Sequence, residues 1–179
     1  NTLLKWLGEK GEAAGIDAAV AVSIPFDLSS STDRMNRGFS KVYQKHFIDL
    51  LKASAKRKFL ELPPSFDPGK IERIRTLREF DDRITAPLHG FKDAEDYYSK
   101  SSCKGFLKHI KVPTLIMNSF DDPFLETSTF VKTEEVSELV ELEYHQKGGH
   151  AAFITGVPWN KSGWTETRIP EFYKSHWKD

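Results

Sequence analysis

Three ionisable side chains follow two apolar runs of the sequence, at positions where they could take part in acid-base chemistry. Asp121 and Asp122 lie in the segment NSFDDPF, shortly after the apolar residues Ile116 and Met117, and His150 lies in the segment HQKGGHAAF. A carboxylate beside an imidazole holds the ring in one tautomer, so that the other ring nitrogen can take a proton from a hydroxyl. An acid followed by a histidine in this order predicts the last two members of a nucleophile, acid and base triad.

Other interpretations of the same residues stay open. One of the two aspartates could cap a turn beside the following proline. His150 could be a loop histidine without a chemical task, although Gly148 and Gly149 favour a loop that brings the imidazole over a neighbouring strand end. Asp121, Asp122 and His150 could also bind a metal, but no closely spaced His or Cys pair accompanies them. We therefore expect neither a metal nor an organic cofactor.

Short apolar runs predict the strands that position these loops. They are residues 18 to 23 (AAVAVS), 113 to 119 (PTLIMNS) and 139 to 145 (LVELEYH). Such runs, separated by helical stretches, are typical of a parallel sheet in an α/β protein, and sites in these sheets lie at the carboxyl ends of the strands. Helical patterns are also present at residues 2 to 14, 94 to 100 and 165 to 177.

The stretch between the first two strands is too long for a simple helical crossover, which predicts an insertion. Apolar residues at helical intervals over residues 33 to 56 predict a long amphipathic helix or a helix pair. The proline-rich residues 62 to 69 should end it, and a further helix is expected from Lys70 to Leu77. We expect one domain over residues 1 to 179, with a helical cap at residues 28 to 75. Three cap aromatics, Phe39, Tyr43 and Phe47, could line an acyl pocket or pack in a core.

Composition restricts the classes of function. The 179 residues include 26 basic and 26 acidic side chains, so the formal net charge is zero and a nucleic-acid partner is disfavoured. The single cysteine, Cys103, and the absence of an apolar run of ~18 residues favour a cytoplasmic protein. Contact between the basic amphipathic stretch and a membrane stays open, since its apolar side is equally suited to covering a pocket.

A nucleophile is missing from the sequence. The only approach to a G-x-S-x-G pattern is Gly38 to Val42 around Ser40, and it lies inside a helical pattern where the required strand-to-helix turn cannot form. We therefore reject Ser40. The chain opens with a helix followed by a buried strand, which is the order expected directly after a nucleophile turn. The serine is accordingly expected just before Asn1.

Several segments together resemble one family. They are NTLLKWLGE at the start, SIPFDL at 23 to 28, GFSKVY at 38 to 43, TLREFDDRITAPLHGF at 76 to 91, DAEDYY at 93 to 98, IKVPTLIMNSFDDPF at 110 to 124 and GGHAAF at 148 to 153. The chain resembles the YheT-like branch of the α/β-hydrolase superfamily, its subfamily four, over nearly its whole length. In that family the opening segment follows a Gly-x-Ser-x-Gly-Gly elbow.

The resemblance implies the C-terminal half of an α/β-hydrolase fold with a helical cap, acting as a serine hydrolase on carboxylic or lipid esters. It implies Asp122 as the triad acid, because the family pattern tolerates Asn at the preceding position, and His150 as the base. It does not state a role for Asp81, Asp82 and Arg83, which could orient the site or form a buried ion pair that holds the insertion to the sheet. His89 is expected to be structural.

Three expectations follow for the chain by itself. Residues 1 to 179 should be essentially inactive, because they lack the serine, and should need the N-terminal half of the fold, in the same or a separate chain. Without that half, the first strand would leave a hydrophobic sheet edge open. Two other functions remain possible: an acyltransferase using the same triad, and a binding protein of this fold without catalysis.

Overall fold

The structure is a computed structural model that describes residues 1 to 58, 68 to 151, 153 to 157 and 160 to 177. It divides into two compact units. The first consists of Asn1–Leu28 together with Ser101–Asp179, and the second is Ser29–Lys100.

The first unit contains the predicted parallel sheet. Its strands are β1 (Ala19–Val22), β2 (Thr114–Ser119) and β3 (Val140–His145), in the order β1-β2-β3 with both pairs parallel. All six residues of the central strand β2 are buried, which fits an unbroken apolar run covered on both faces. The α/β class and the three strands expected from the sequence are confirmed.

Helices cover the two faces of this sheet. Helix α1 (Thr2–Lys10) and a 3-10 helix at Lys104–His109 pack against one face through a set of buried residues: Leu4, Leu7, Ala19, Ala21, Leu107, Ile110 and Ile116. On the other face, Leu115 and Met117 of β2 contact Phe172 of the C-terminal helix. Because side chains alternate along a strand, β1 and β2 supply apolar residues to both layers, whereas β3 supplies Val140, Leu142 and Tyr144 to the first layer only.

The start of the chain follows the expected helix-then-strand order. After α1, a 3-10 helix at Gly11–Ala14 ends at Gly15, whose φ of 64° is left-handed as expected of a helix-ending glycine. Gly8, which lowers helix propensity, has a packing reason. A Cβ at this position would lie 2.3 Å from the backbone oxygen of Phe106, so only glycine allows this approach between α1 and the 3-10 helix.

The second unit is helical. Its helices are α2 (Leu28–Met35), α3 (Ser40–Lys58), α4 (Pro68–Glu72), α5 (Leu77–Phe80), α6 (Ala86–Leu88) and α7 (Ala94–Ser101), with a π-helix at Asp81–Thr85 between α5 and α6. Its buried core consists of Ile48, Ala55, Ile71, Ile74, Phe80 and Ile84. The helix pair expected over residues 33 to 56 is present as α2 and α3, and Asp93 caps α7 by accepting from the amide of Asp96 at 2.8 Å.

Three expectations for this unit need correction or lie outside the described part. The helix expected from Lys70 to Leu77 is wrong, because Thr76 accepts a hydrogen bond from the amide of Glu79 at 3.1 Å and starts a new helix there. Core packing of Phe39, Tyr43 and Phe47 is also wrong, since all three are exposed. The helix break was expected at the proline-rich residues 62 to 69, of which residues 62 to 67 lie outside the described residues.

The C-terminal part contains a hairpin that the sequence pattern did not predict. Strands β4 (Ile154–Val157) and β5 (Asn160–Gly163) pair antiparallel and lead directly into helix α8 (Trp164–His176). The expected helix at residues 165 to 177 is therefore present. Among the described residues, no helix has the length and apolarity that crossing a membrane requires.

Candidate active site

The two loops singled out in the sequence meet at the carboxyl edge of the parallel sheet. Strand β2 ends at Ser119 and is followed by the two aspartates, and its neighbour β3 ends at His145, five positions before His150. The pairing continues beyond the strands, because the amide of Phe120 donates to the carbonyl of His145 at 2.9 Å. Both loops therefore leave the sheet side by side.

Asp122 and His150 are in hydrogen-bond contact. The Nδ1 atom of His150 lies 2.8 Å from Oδ2 of Asp122, and the other carboxylate oxygen accepts from the amide of Phe124 at 2.9 Å. The Asp122 side chain is fully buried, whereas 44% of the His150 side chain is exposed. Because a carboxylate only accepts hydrogen bonds, Nδ1 is the donor and Nε2 keeps its lone pair. The carboxylate thus fixes one nitrogen of the ring, an arrangement in which the other nitrogen can act as a base.

An aromatic ring supports the imidazole. The ring of Phe124 meets the ring of His150 edge-on, with centroids 4.7 Å apart. Phe124 is half-buried, and its neighbour Leu125, at 4% exposure, enters the core instead. The turn after β2 therefore supplies both a hydrogen-bond partner and a contact surface for the histidine ring.

Asp121 contacts the backbone of the loop that carries His150. Its Oδ1 atom accepts from the amides of Gly148 and Gly149, both at 2.9 Å, and from the hydroxyl of Ser119. The hydrogen bond from Ser119, followed by those from the two amides, holds the pKa of Asp121 below its usual range. The two neighbouring aspartates thus bind the same loop in different ways, one through its backbone and one through its imidazole.

Each glycine of this loop meets a different requirement. A Cβ on Gly148 would lie 2.7 Å from Cδ1 of the buried Phe153 ring, so the loop needs the missing side chain there. Gly149 has a φ of 62°, a left-handed conformation that other residues adopt only with strain. The structure thus gives separate reasons for the two glycines that the sequence showed as a pair.

Two further residues at this sheet edge were not recognised from the sequence. Asn118, fully buried, accepts from the amide of Ile24 at 2.9 Å and donates to its carbonyl at 3.0 Å, which ties the segment after β1 to β2. Ser23 has a φ of 52°, and its buried hydroxyl has no hydrogen-bond partner among the described residues. Asn118 belongs to the motif NSFDDPF, but residue type alone does not show which backbone groups it contacts.

A second histidine-carboxylate contact lies on β3. Glu143 accepts from Nε2 of His145 and from the indole of Trp164, each at 2.7 Å, and Arg168 donates to its other oxygen at 2.7 Å. Burial pushes the pKa of Glu143 up, but these hydrogen bonds outweigh it and the pKa is lowered. The network fastens α8 to β3. The ring of His145 also meets Phe153 at 5.3 Å, next to the His150 loop.

Among the residues that the structure describes, Asp81, Asp82 and Arg83 form no buried ion pair, so the expectation of such a pair is wrong. Asp82 and Arg83 are exposed, and Asp81 accepts from the hydroxyls of Tyr98 at 2.6 Å and Thr85 at 2.7 Å. Burial raises the pKa of Asp81, against the opposing effect of these two hydroxyls. His89, expected to be structural, is exposed, and with Leu51 and Ile84, among others, it borders a cavity of about 160 Å³ within the second unit.

Comparison with known proteins identifies the family. The chain is 39% identical over 178 residues to a protein of Escherichia coli (strain K12) named "Putative esterase YheT", and the match covers 98% of the chain and 52% of that protein. The chain belongs to the α/β-hydrolase superfamily. Its parallel strands and flanking helices are those of the C-terminal half of the α/β-hydrolase fold.

More distant relatives extend this match. The chain is 26% identical over 157 residues to "Phospholipase ABHD3" of Mus musculus, which covers 87% of the chain and 38% of that protein. It is 27% identical over 161 residues to "Monoacylglycerol lipase" of Saccharomyces cerevisiae, which covers 85% of the chain and 35% of that protein. The chain thus spans about half, or less, of the length of these relatives, with 52% for the E. coli protein. No protein-family model and no solved structure matches the chain.

Proposed function

We propose that this chain supplies the acid and the base of a serine hydrolase that cleaves carboxylic esters. The contact between the buried carboxylate of Asp122 and Nδ1 of His150 carries the proposal, because it leaves Nε2 as a base at the edge of a parallel sheet. The nucleophilic serine lies outside residues 1 to 179, and the full site forms only when this half of the fold meets the half that carries the serine.

The reaction proceeds in two balanced stages. Nε2 of His150 takes the proton of the serine hydroxyl as the serine oxygen attacks the ester carbonyl, and the imidazolium then returns that proton to the departing alcohol. Water attacks the acyl-serine by the same route and releases the carboxylic acid. Asp122 keeps Nδ1 protonated throughout and stabilises the imidazolium in each stage.

The names of the relatives support an ester substrate with a lipid-like acyl group. They include an esterase, a phospholipase and a monoacylglycerol lipase. Each of these activities breaks or forms an ester bond, so the shared chemistry is acyl transfer through one triad. The specific ester and its chain length depend on a pocket that the complete protein forms.

Transfer of the acyl group to an alcohol is the second candidate. One relative, 28% identical over 194 residues, is the Saccharomyces cerevisiae protein named "Medium-chain fatty acid ethyl ester synthase/esterase 2". An alcohol that replaces water in the second stage would give a new ester on the same residues. Product analysis with added ethanol separates the two activities, since a hydrolase yields mainly free acid and a transferase mainly ethyl ester. A binding protein without catalysis would yield neither.

The partner of the chain follows from the open edge of its sheet. In the described structure, β1 is an edge strand with β2 as its single neighbour. We place the serine-bearing strand beside β1, so that the order across the sheet is the serine strand, β1, β2 and β3, with Asp122 after β2 and His150 after β3. This makes the N-terminal half of the fold the partner that the chain requires.

The direct test uses the complete protein and a nitrophenyl ester. Asp122→Asn and His150→Ala should each lower kcat by several powers of ten, because the wrong tautomer or the missing base blocks proton transfer from serine. Asn36→Ala, which changes a half-buried side chain of the second unit, is the control and should leave kcat unchanged. Wild-type kcat in either site variant, with the fold intact by circular dichroism, would contradict the proposal.

A further inference from the structure

Asp121 is placed to control the loop of His150 without touching its ring. One carboxylate oxygen, Oδ1, accepts hydrogen bonds from the amides of Gly148 and Gly149 and from the hydroxyl of Ser119. Two consecutive amides that converge on one oxygen form a small anion-binding concavity of the backbone. Hydrogen bonds to a carboxylate are stronger than those between neutral groups, so this contact fixes the two residues that precede His150.

Packing alone does not fix the histidine. With 44% of its side chain exposed, His150 has the edge of the Phe124 ring as its aromatic support. The loop backbone is tied on its other side by the amide of Phe153, which donates to the carbonyl of Gly148 at 3.1 Å. Hydrogen bonds to Phe153 and to Asp121 therefore hold the loop from two sides. The loss of either contact leaves one side of the loop without its hydrogen bond.

Charge is part of this arrangement. The lowered pKa of Asp121 shows that the three donors favour its ionised form. Asp121, which contacts the loop backbone, is therefore ionised near neutral pH. It lies next to Asp122, which contacts the imidazole ring.

We propose that Asp121 is a positioning residue for the general base: it holds Gly148 and Gly149 so that the His150 ring meets Asp122 in the reactive orientation. This rests on the proposed function. The role proposed for Asp121 acts through the loop backbone and not through the substrate, so its loss should lower kcat and leave KM unchanged. A displacement of about 1 Å at a reacting group can cost on the order of 100-fold, so we expect Asp121→Ala to lower kcat roughly 10- to 100-fold.

A conservative variant separates positioning from general destabilisation. Asp121→Asn keeps an oxygen that can accept from the two amides, so it should recover most of the kcat that Asp121→Ala loses. Glu135→Ala is the matched control, because Glu135 is a partly exposed carboxylate that likewise accepts from a backbone amide, that of Lys132 at 2.9 Å. It should affect stability to a similar extent and leave kcat unchanged.

A second readout does not depend on turnover. In the complete protein labelled with ¹⁵N-histidine, the Nδ1 proton of His150 should give a strongly downfield NMR resonance, because it is donated to a buried carboxylate. Asp121→Ala should broaden or remove this resonance, and Asp121→Asn should retain it. Asp122→Asn, which removes the acceptor itself, provides the reference for its complete loss.

The outcomes distinguish this inference from the proposed function. If Asp122→Asn inactivates the enzyme while Asp121→Ala retains wild-type kcat and the resonance, the inference is wrong and the proposed function stands. If the complete wild-type protein hydrolyses no ester, the proposed function fails, and the resonance alone then decides whether Asp121 orders the His150 ring. Equal losses of kcat in Asp121→Ala and Glu135→Ala would also overturn the inference.

Discussion

A methyl group added at Gly148 should disturb the active site through the buried ring of Phe153. The Cβ of Gly148→Ala would lie 2.7 Å from Cδ1 and 2.9 Å from Cε1 of that ring. Carbon atoms pack at ~3.5–4.0 Å, so the overlap is about 1 Å. Phe153 is 2% exposed and its ring meets that of His145, which leaves the loop rather than the ring to move.

The expected magnitudes follow from this overlap. Overpacking of a buried contact costs about 1–3 kcal/mol of folding free energy. A shift of about 1 Å in the loop, two residues before His150, should lower kcat on the order of 100-fold. KM should change little, because neither Gly148 nor Phe153 is assigned to the substrate.

The assay combines urea denaturation with ester hydrolysis by the complete protein. Gly15→Ala is the control for a loss of stability away from the His150 loop: Gly15 has a left-handed φ of 64°, no atom lies within 4 Å of its Cβ position, and it ends the 3-10 helix that follows α1. It should cost about 1–2 kcal/mol of backbone strain and leave kcat unchanged. Replacement of the ring by Phe153→Leu should restore part of the kcat lost in Gly148→Ala. Wild-type kcat in Gly148→Ala, or no recovery in the double variant, would refute the reasoning.

Two other variants test the support of the site and of the second unit. Asn118→Ala should lower the free energy of unfolding by about 3 kcal/mol or more, because it leaves the amide and the carbonyl of the buried Ile24 without partners. Ser99→Ala, which removes an exposed hydroxyl that donates to the carbonyl of Asp96, should cost about 1 kcal/mol or less, and similar losses in both would contradict this role of Asn118. Burial raises the pKa of Asp81, so the folded state binds this proton more tightly than the unfolded state. The resulting stability is present at low pH and is lost as the pH rises from ~3.9 through the folded pKa. Asp81→Asn should remove that part of the fall in the free energy of unfolding, measured by urea denaturation, as the pH rises above ~3.9. An unchanged pH dependence would count against the assignment.

The sheet could be predicted from the sequence because β1 and β2 lie in short apolar runs, and β3 alternates apolar with polar residues. The end of the 3-10 helix at Gly11–Ala14 and the start of α7 were also predictable, since Gly15 and Asp93 act locally on the backbone next to them. The break at Thr76 was not, because a single threonine hydroxyl competes there with continuation of a helix. The β4–β5 hairpin was likewise missed, since its residues show neither alternation nor a typical hairpin turn.

The site was predictable only to the level of residue type and order. An acid after β2 and a histidine after β3 must lie near one another in a parallel sheet, and the structure brings Asp122 within 2.8 Å of His150. Which of the two aspartates contacts the His150 ring could not be predicted without the family resemblance. The two neighbouring carboxylates have the same chemistry and differ only in the direction that the turn gives them. Long-range contacts such as that of Asn118 with Ile24 depend on the register of two strands, which residue type does not specify.

Covalent labelling of the complete protein with a fluorophosphonate tests the central claim most directly. The reagent reacts with a serine that a neighbouring base has activated, and peptide mapping by mass spectrometry locates the adduct. The account predicts one adduct, on a serine in the peptide directly before Asn1, formed by the wild-type protein and strongly reduced in His150→Ala. An adduct on a serine elsewhere, or undiminished labelling in His150→Ala, would contradict it.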